Sequence, residues 1–237
     1  MGDKRRRRSD RTKRRRHAPV ELRIHSARVG PGVTTAPLED VLGALAAAPD
    51  PTDWEAVSRF VVPIFPRRRP LPFGAPDPVR IRLPPGVLVS FGIDLGPAFA
   101  YVLPEVLARW PVTAEGLALV ALDNLRDLLA DSGPGALIQV EFDGIPARVL
   151  QTGHGVASTA VLLPDEVRRI FGTAPQRFLA PSRDLLVSLP LASDRGAAAD
   201  LVEDIAERDP NVPAVESFVL DADGLRCEPL ALDAGVA

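Results

Sequence analysis

Ten of the chain's 28 Lys and Arg residues fall between Lys4 and Arg16, which leaves the remainder to supply any hydrophobic core. Residues 1–17 set those ten positive charges against only Asp3 and Asp10, a formal +8. The remaining 18 basic and 29 acidic residues give residues 18–237 a formal −11, a division that the net charge of −3 conceals. A segment with that much self-repulsion and no apolar periodicity cannot bury enough surface to offset the entropy of ordering. Residues 1–17 are therefore expected to form a disordered basic tail, and residues 18–237 a single domain.

The body has the means to fold, because 46% apolar with 25% charged is an ordinary globular composition. A lone Cys227 excludes an internal disulfide and a multi-Cys zinc site, so the cytoplasm is the expected location and no metal or other cofactor is indicated. The basic start is followed by no apolar run of signal-peptide length. No stretch reaches the roughly 18 apolar residues that a membrane helix needs, which predicts a soluble protein. An acidic body repels phosphates, so nucleic acid is expected as a partner only through the tail.

Along the chain, Val20, Leu22 and Ile24 alternate with polar residues as a strand that ends at Gly30-Pro31-Gly32. Pro37 opens a short helix through Leu45 that Pro49 closes. A second helix is predicted from the cap Asp53, with Trp54, Val57, Phe60 and Val61 on one face, stopping before Pro63. Pro63 to Pro78 reads as an exposed extended loop, and Val79 to Leu83, Val87 to Ile93 and Phe99 to Leu103 as strands. The longest helix is predicted from Thr113 to Ala130, with Leu117, Ala121, Leu125 and Leu128 as its buried stripe.

Ile138 to Phe142 and Ile145 to Val149 form a hairpin about Asp143-Gly144, and Pro146 is expected to place the second strand at an edge. Pro164 to Phe171 is a helix punctuated by Gly172. Phe178 to Ala180 and Leu185 to Leu189 are predicted strands, followed by a helix capped by Ser193 or Asp194 that runs to about Glu207. Val215 to Leu220 and Leu225 to Glu228 close the pattern around Asp223-Gly224. Several hairpins mixed with short helices predict an α+β fold rather than a doubly wound parallel sheet.

Trp54-Glu55 with Val62-Pro63-Ile64, then Val87 to Asp94, Tyr101-Val102-Leu103 leading to Leu107 and Trp110, and Ala121-Leu122-Asp123-Asn124-Leu125 follow a familiar order. Val161-Leu162-Leu163-Pro164 opens a helix, and Leu179-Ala180-Pro181-Ser182-Arg183-Asp184-Leu185-Leu186 comes next. Together they resemble the YtpQ-like family of bacterial proteins of unknown function, over about residues 37–230. The resemblance implies bacterial origin and a cytoplasmic location. It brings no established reaction, cofactor or catalytic residue. In the loop Gly153-His154-Gly155-Val156-Ala157-Ser158-Thr159 the chain departs from the acidic, aromatic and Arg residues of the family's pattern.

Gly92-Ile93-Asp94-Leu95-Gly96 after an apolar strand is similar to the first phosphate loop of actin-like ATPases, but Pro97 removes an amide donor, so a strand end with a turn is favoured. Asp221-Ala222-Asp223-Gly224 lacks the remaining calcium ligands and reads as a turn. Ser182 has no Gly-x-Ser-x-Gly setting. The ligand-binding candidates are Arg183 and Asp184, a guanidinium and a carboxylate between two strands, His154 between two glycines, and Asp143.

The leading expectation is a non-enzymatic binding or interaction module with a protein partner. The alternative is an enzyme with its site around Asp143, His154, Arg183 and Asp184. A further alternative is nucleic-acid binding by Arg5, Arg6, Arg7, Arg8, Arg14, Arg15 and Arg16, non-specific and salt-sensitive. For the tail itself, an extension that touches the acidic body and a translation start nearer Val20 remain as plain readings.

Overall fold

The computed structural model describes residues 38–67, 76–96, 99–142, 144–206, 213 and 217–228. The basic tail and the strand expected at Val20–Ile24 lie outside the described residues. Within them the fold is α+β, built on two antiparallel sheets.

The smaller sheet is organised by its longest strand. β1 (Val61–Ile64), β2 (Arg80–Leu83), β3 (Val87–Asp94) and β4 (Phe99–Tyr101) all belong to it, and β1 lines one edge of β3. β2 and β4 share the opposite edge, β2 along Val87–Ser90 and β4 along Gly92–Asp94. In the larger sheet β5 (Ile138–Phe142), β6 (Ile145–Leu150), β7 (Gln176–Ser182), β8 (Leu185–Pro190), β9 (Ser217–Asp221) and β10 (Gly224–Cys227) take the order β10-β9-β7-β8-β6-β5. The helices are α1 (Leu38–Ala47), α2 (Trp54–Val57), α3 (Pro104–Leu107), α4 (Ala114–Ala130), α5 (Pro164–Phe171) and α6 (Arg195–Ala206).

The main core contains residues from both sheets: Phe91 and Ile93 of β3, Leu117, Leu125 and Leu129 of α4, Phe178 of β7 and Phe218 of β9 are all buried in it. A smaller core forms where α6 covers the far face of the larger sheet, with Ala198 and Val202 against Leu179, Val187 and Leu189. Phe178 and Leu179 thus serve different cores, as the two-residue period of a strand requires. This explains why β7 is buried along its whole length.

Several expectations are corrected. The helix from Asp53 is capped as predicted, with its carboxylate accepting from the Glu55 and Ala56 amides, but it ends at Val57. A 3-10 turn over Ser58–Phe60 follows, and Val61 to Ile64 join β1, where β-branched residues suit a pleated, buried strand. Pro63 is tolerated there because, among the described residues, β1 pairs with β3 alone. Of the segment expected to be exposed from Pro63 to Pro78, Pro76 and Asp77 are exposed, whereas Pro63 to Phe65 and Pro78 are buried. Phe65 stacks on Phe218 at 5.7 Å between ring centroids, and Pro78 and Val79 are buried.

α4 is capped by Thr113, whose hydroxyl accepts from the Gly116 amide at 3.2 Å, but its stripe ends on Leu129 rather than Leu128. From its partly buried side Asn124 Nδ2 donates to the Ser58 and Val61 carbonyls at 2.7 and 2.8 Å, fastening the helix to β1. β6 is not an edge strand, since it pairs with both β5 and β8. Its pairing with β8 covers only Arg148–Leu150, so Pro146 stands beyond that ladder and β5 forms the edge. Ala157–Leu162, whose first three residues are expected in the loop Gly153 to Thr159, is a fully buried 3-10 segment packed against β7, β8 and α5.

Candidate functional site

One corner of the molecule is assembled from the ends of both sheets. β3 ends at Asp94, and the β3–β4 register places Asp94 directly opposite Phe99. The carboxylate accepts from the Gly96 amide at 2.8 Å, and Gly96 takes the positive φ of 80° that this turn requires. Gly92, two residues earlier, is a packing residue: a Cβ there would lie 2.1 Å from Ile64 Cδ1 and 3.2 Å from Phe99 Cδ1. The Gly-Ile-Asp-Leu-Gly run is thus a strand end and a turn.

From the larger sheet comes the turn Arg183-Asp184 between β7 and β8. β7 runs on through Pro181 to Ser182, with an irregular register between Leu179 and Ser182 that relieves the missing proline donor. Asp184 reaches back across about thirty residues of chain to the loop after β6. Its Oδ1 accepts from Thr152 Oγ1 at 2.5 Å, the Gly155 amide at 3.1 Å and the Thr152 amide at 3.3 Å, and its Oδ2 from the Gly153 amide at 2.7 Å. Gly153 and Gly155 adopt φ of 74° and 69°, which side-chain-bearing residues rarely take. Asp184 therefore defines the loop's shape.

That loop closes on a stacked pair. The Arg183 guanidinium carbon lies over the Phe99 ring at 3.8 Å from its centroid, a cation–π arrangement. A Cβ on Gly155 would stand 3.1 Å from Phe99 Cε2 and 3.5 Å from Arg183 Nε, so the glycine backbone packs directly on both partners. The Arg183 carbonyl accepts from the Ser158 amide at 3.1 Å, tying the turn to the buried 3-10 segment. His154 is exposed, and its amide donates to Thr152 Oγ1 at 3.2 Å.

Asp94 is partly buried in this setting, and burial pushes its carboxyl pKa above the ordinary value. The Gly96 amide and the positive charges of His154 and Arg183 pull in the opposite direction without cancelling that rise. The structure thus brings together His154, Arg183 and Asp184 of the sequence candidates, with Asp184 in an architectural role. Asp143 lies outside the described residues. Its neighbours Phe142 and Ile145 sit at the end of the β5–β6 hairpin opposite to Leu150, which leads into the Asp184-held loop. Sequence reasoning passed over Asp94 as a turn residue and did not single out Phe99. The available signal was an Asp-x-Gly turn at the end of an apolar strand, with an aromatic residue where the next strand begins.

Because Asp184 makes four contacts to the loop, Asp184→Ala is expected to release it while leaving both sheets folded. Hydrogen exchange at the Gly153 and Gly155 amides should accelerate by at least about tenfold, the equivalent of one charge-assisted hydrogen bond. Unchanged protection at both amides would contradict this role.

An open groove of about 550 Å³ between Pro78–Arg80 and Pro104–Val112, with Trp110 in its wall, shares no residue with the charged corner. Among the described residues, no three His, Cys, Asp or Glu side chains are grouped as metal ligands, and no helix is long and apolar enough to cross a membrane. Comparison with protein-family models, curated proteins and solved structures finds no match to this chain.

Proposed function

We propose that this chain is a cytoplasmic, non-enzymatic binding or interaction module whose recognition point is Arg183. The observation that carries this reading is the position of Arg183 itself, stacked on Phe99 and backed by Gly155. A long cationic side chain held in this way has already lost much of the rotamer freedom that binding would otherwise remove. Asp184, the nearest carboxylate in sequence, is engaged by Thr152, Gly153 and Gly155, which suits a scaffold better than a proton-transfer group. Membership of the YtpQ-like family over residues 37–230 is part of the proposal. Its support is the matching order of motifs, with Val161-Leu162-Leu163-Pro164 leading into α5 and Leu179 to Leu186 spanning the Arg183-Asp184 turn.

One observation favours the enzyme alternative. Asp94 has a raised pKa and feels the charges of His154 and Arg183, a combination often found among acid–base groups. The two readings part experimentally. The full chain is immobilised and exposed to native extract, alongside Arg183→Ala with unchanged circular dichroism. The module reading expects components retained by the wild type and lost from the variant. Equal retention by both would overturn it, and so would conversion of an extract metabolite, detected by NMR, that Asp94→Asn abolishes.

A further inference from the structure

We propose that the outer edge of β5 pairs with the β5 edge of a second copy of this chain, joining two six-stranded sheets across a twofold axis. The surface shares no residue with the Arg183 corner and goes beyond that reading.

The direction of the backbone groups comes first. β5 pairs with β6 without a break from Ile138↔Val149 to Phe142↔Ile145, across a connection of two residues. In a hairpin of that length the closing pair exchanges both of its hydrogen bonds, and bonded and non-bonded pairs then alternate. Ile138, Val140 and Phe142 therefore direct their backbone groups at β6, whereas Gln139 and Glu141 turn theirs outward. The far side of β6 agrees with this phase. Arg148, opposite Gln139, pairs onward with Ser188 of β8, and Pro146, opposite Glu141, has no N–H to turn. Among the described residues no strand meets the outer side of β5, and both Gln139 and Glu141 are exposed. Of the usual guards against edge pairing, the strand Ile-Gln-Val-Glu-Phe has a single charge, and neither a proline nor a register shift.

A partner strand must match that spacing of outward groups, and β5 itself does. About a twofold axis through Val140, antiparallel pairing sets Gln139 against the partner's Glu141, and Glu141 against the partner's Gln139. These are pairs of outward-turned residues, so each exchanges both backbone hydrogen bonds. On the solvent side each amide meets a carboxylate, a donor facing an acceptor. On the opposite side Ile138 meets the partner's Phe142, and Val140 meets the partner's Val140. That is the face on which Phe142 and Val140 already pack into the smaller core. Moving the axis to residue 141 would set two Glu141 carboxylates face to face, and moving it to residue 139 would shorten the overlap and leave Glu141 opposite Leu137. Only the central register uses all five residues of β5 and opposes no like charges. A net charge of −3 on each full chain adds little repulsion. A single short strand makes a small interface, so the dimer is expected to be weak and reversible.

The test is sedimentation equilibrium of the full chain over about a hundredfold range of concentration, where a monomer–dimer equilibrium is expected. Hydrogen exchange at the Gln139 and Glu141 amides should slow as concentration rises, while the Val140 amide, directed at β6, keeps its protection. Gln139→Glu opposes carboxylates in both pairs and should weaken association by about fivefold. Adding Glu141→Lys turns both pairs into ion pairs and should restore association to the parent level or above. Both positions are exposed, so neither change loads the core. Glu141→Pro removes an outward N–H that β6 does not use and should abolish the dimer with circular dichroism unchanged. A chain that stays monomeric throughout overturns the proposal, whether its Gln139 and Glu141 amides exchange freely or are covered by a segment of the same chain. So does a dimer whose strength ignores Gln139→Glu and Glu141→Pro, because its contact then lies elsewhere.

Discussion

Replacing Glu228 with alanine is expected to lower the unfolding free energy by about 3–5 kcal/mol, the range for removing one partner of a buried ion pair. The reason lies beneath it on β7, where the Arg177 side chain is only 4% exposed. Arg177 Nη2 stands 3.5 Å from Glu228 Oε2, and among the described residues its buried Nε and Nη1 find no hydrogen-bond partner. Arg195, at the start of α6, reaches the same carboxylate oxygen at 2.9 Å, and Arg226 Nε approaches Oε1 at 3.5 Å. Three guanidinium groups therefore converge on one carboxylate, which is 20% exposed. Without it, Arg177 becomes an uncompensated charge inside the sheet. Urea unfolding followed by circular dichroism should show a lower midpoint with an unchanged slope. Adding Arg177→Met should recover most of the loss, since an apolar chain of similar length needs no counter-charge. A loss below about 1 kcal/mol, the worth of an exposed pair, would show that Arg177 is balanced by other means.

Gln176→Leu should be the next most damaging change, at about 3 kcal/mol, because it keeps side-chain volume and removes an amide on which several buried groups depend. Gln176 is 3% exposed. Its Oε1 accepts from Arg148 on β6 and from Ser188 on β8. Its Nε2 lies 3.0 Å from the Ala174 carbonyl and 3.4 Å from those of Phe171 and Gly172. One side chain thus joins two strands to the end of α5. Gln176→Glu keeps the acceptors for Arg148 and Ser188 and should lose less than the leucine variant. The order of the two midpoints in urea checks the assignment, and a leucine variant as stable as the parent would refute it.

Much of the local structure was legible because its punctuation is chemical. Thr113, Pro164, Gly172 and Asp194 mark helix ends by capping or by backbone geometry, and the alternation about Asp143-Gly144 gives a hairpin. Legibility failed where two periods coincide. Trp54, Val57, Phe60 and Val61 fit one helix face, yet tertiary pairing with β3 takes Val61 into a strand. It failed again at Ala157–Leu162, where small residues give no period and burial comes from elements distant in sequence.

The site divides along the same line. Arg183 and His154 were legible as polar residues in turn-like settings. The Asp94–Phe99 pairing follows from strand register, and the Asp184 contacts join residues 29 to 32 positions apart, so neither is a local property.

Asp94 and Phe99 belong to the smaller sheet, whereas His154, Gly155 and Arg183 lie in a loop and a turn that connect strands of the larger one. The corner is thus a seam. A molecule seated there would act as a clasp across the two halves of the core, so its departure would slacken the molecule as a whole. Any small tilt of one sheet against the other would slide Arg183 off its aromatic seat, making the corner a gauge of how the halves are set.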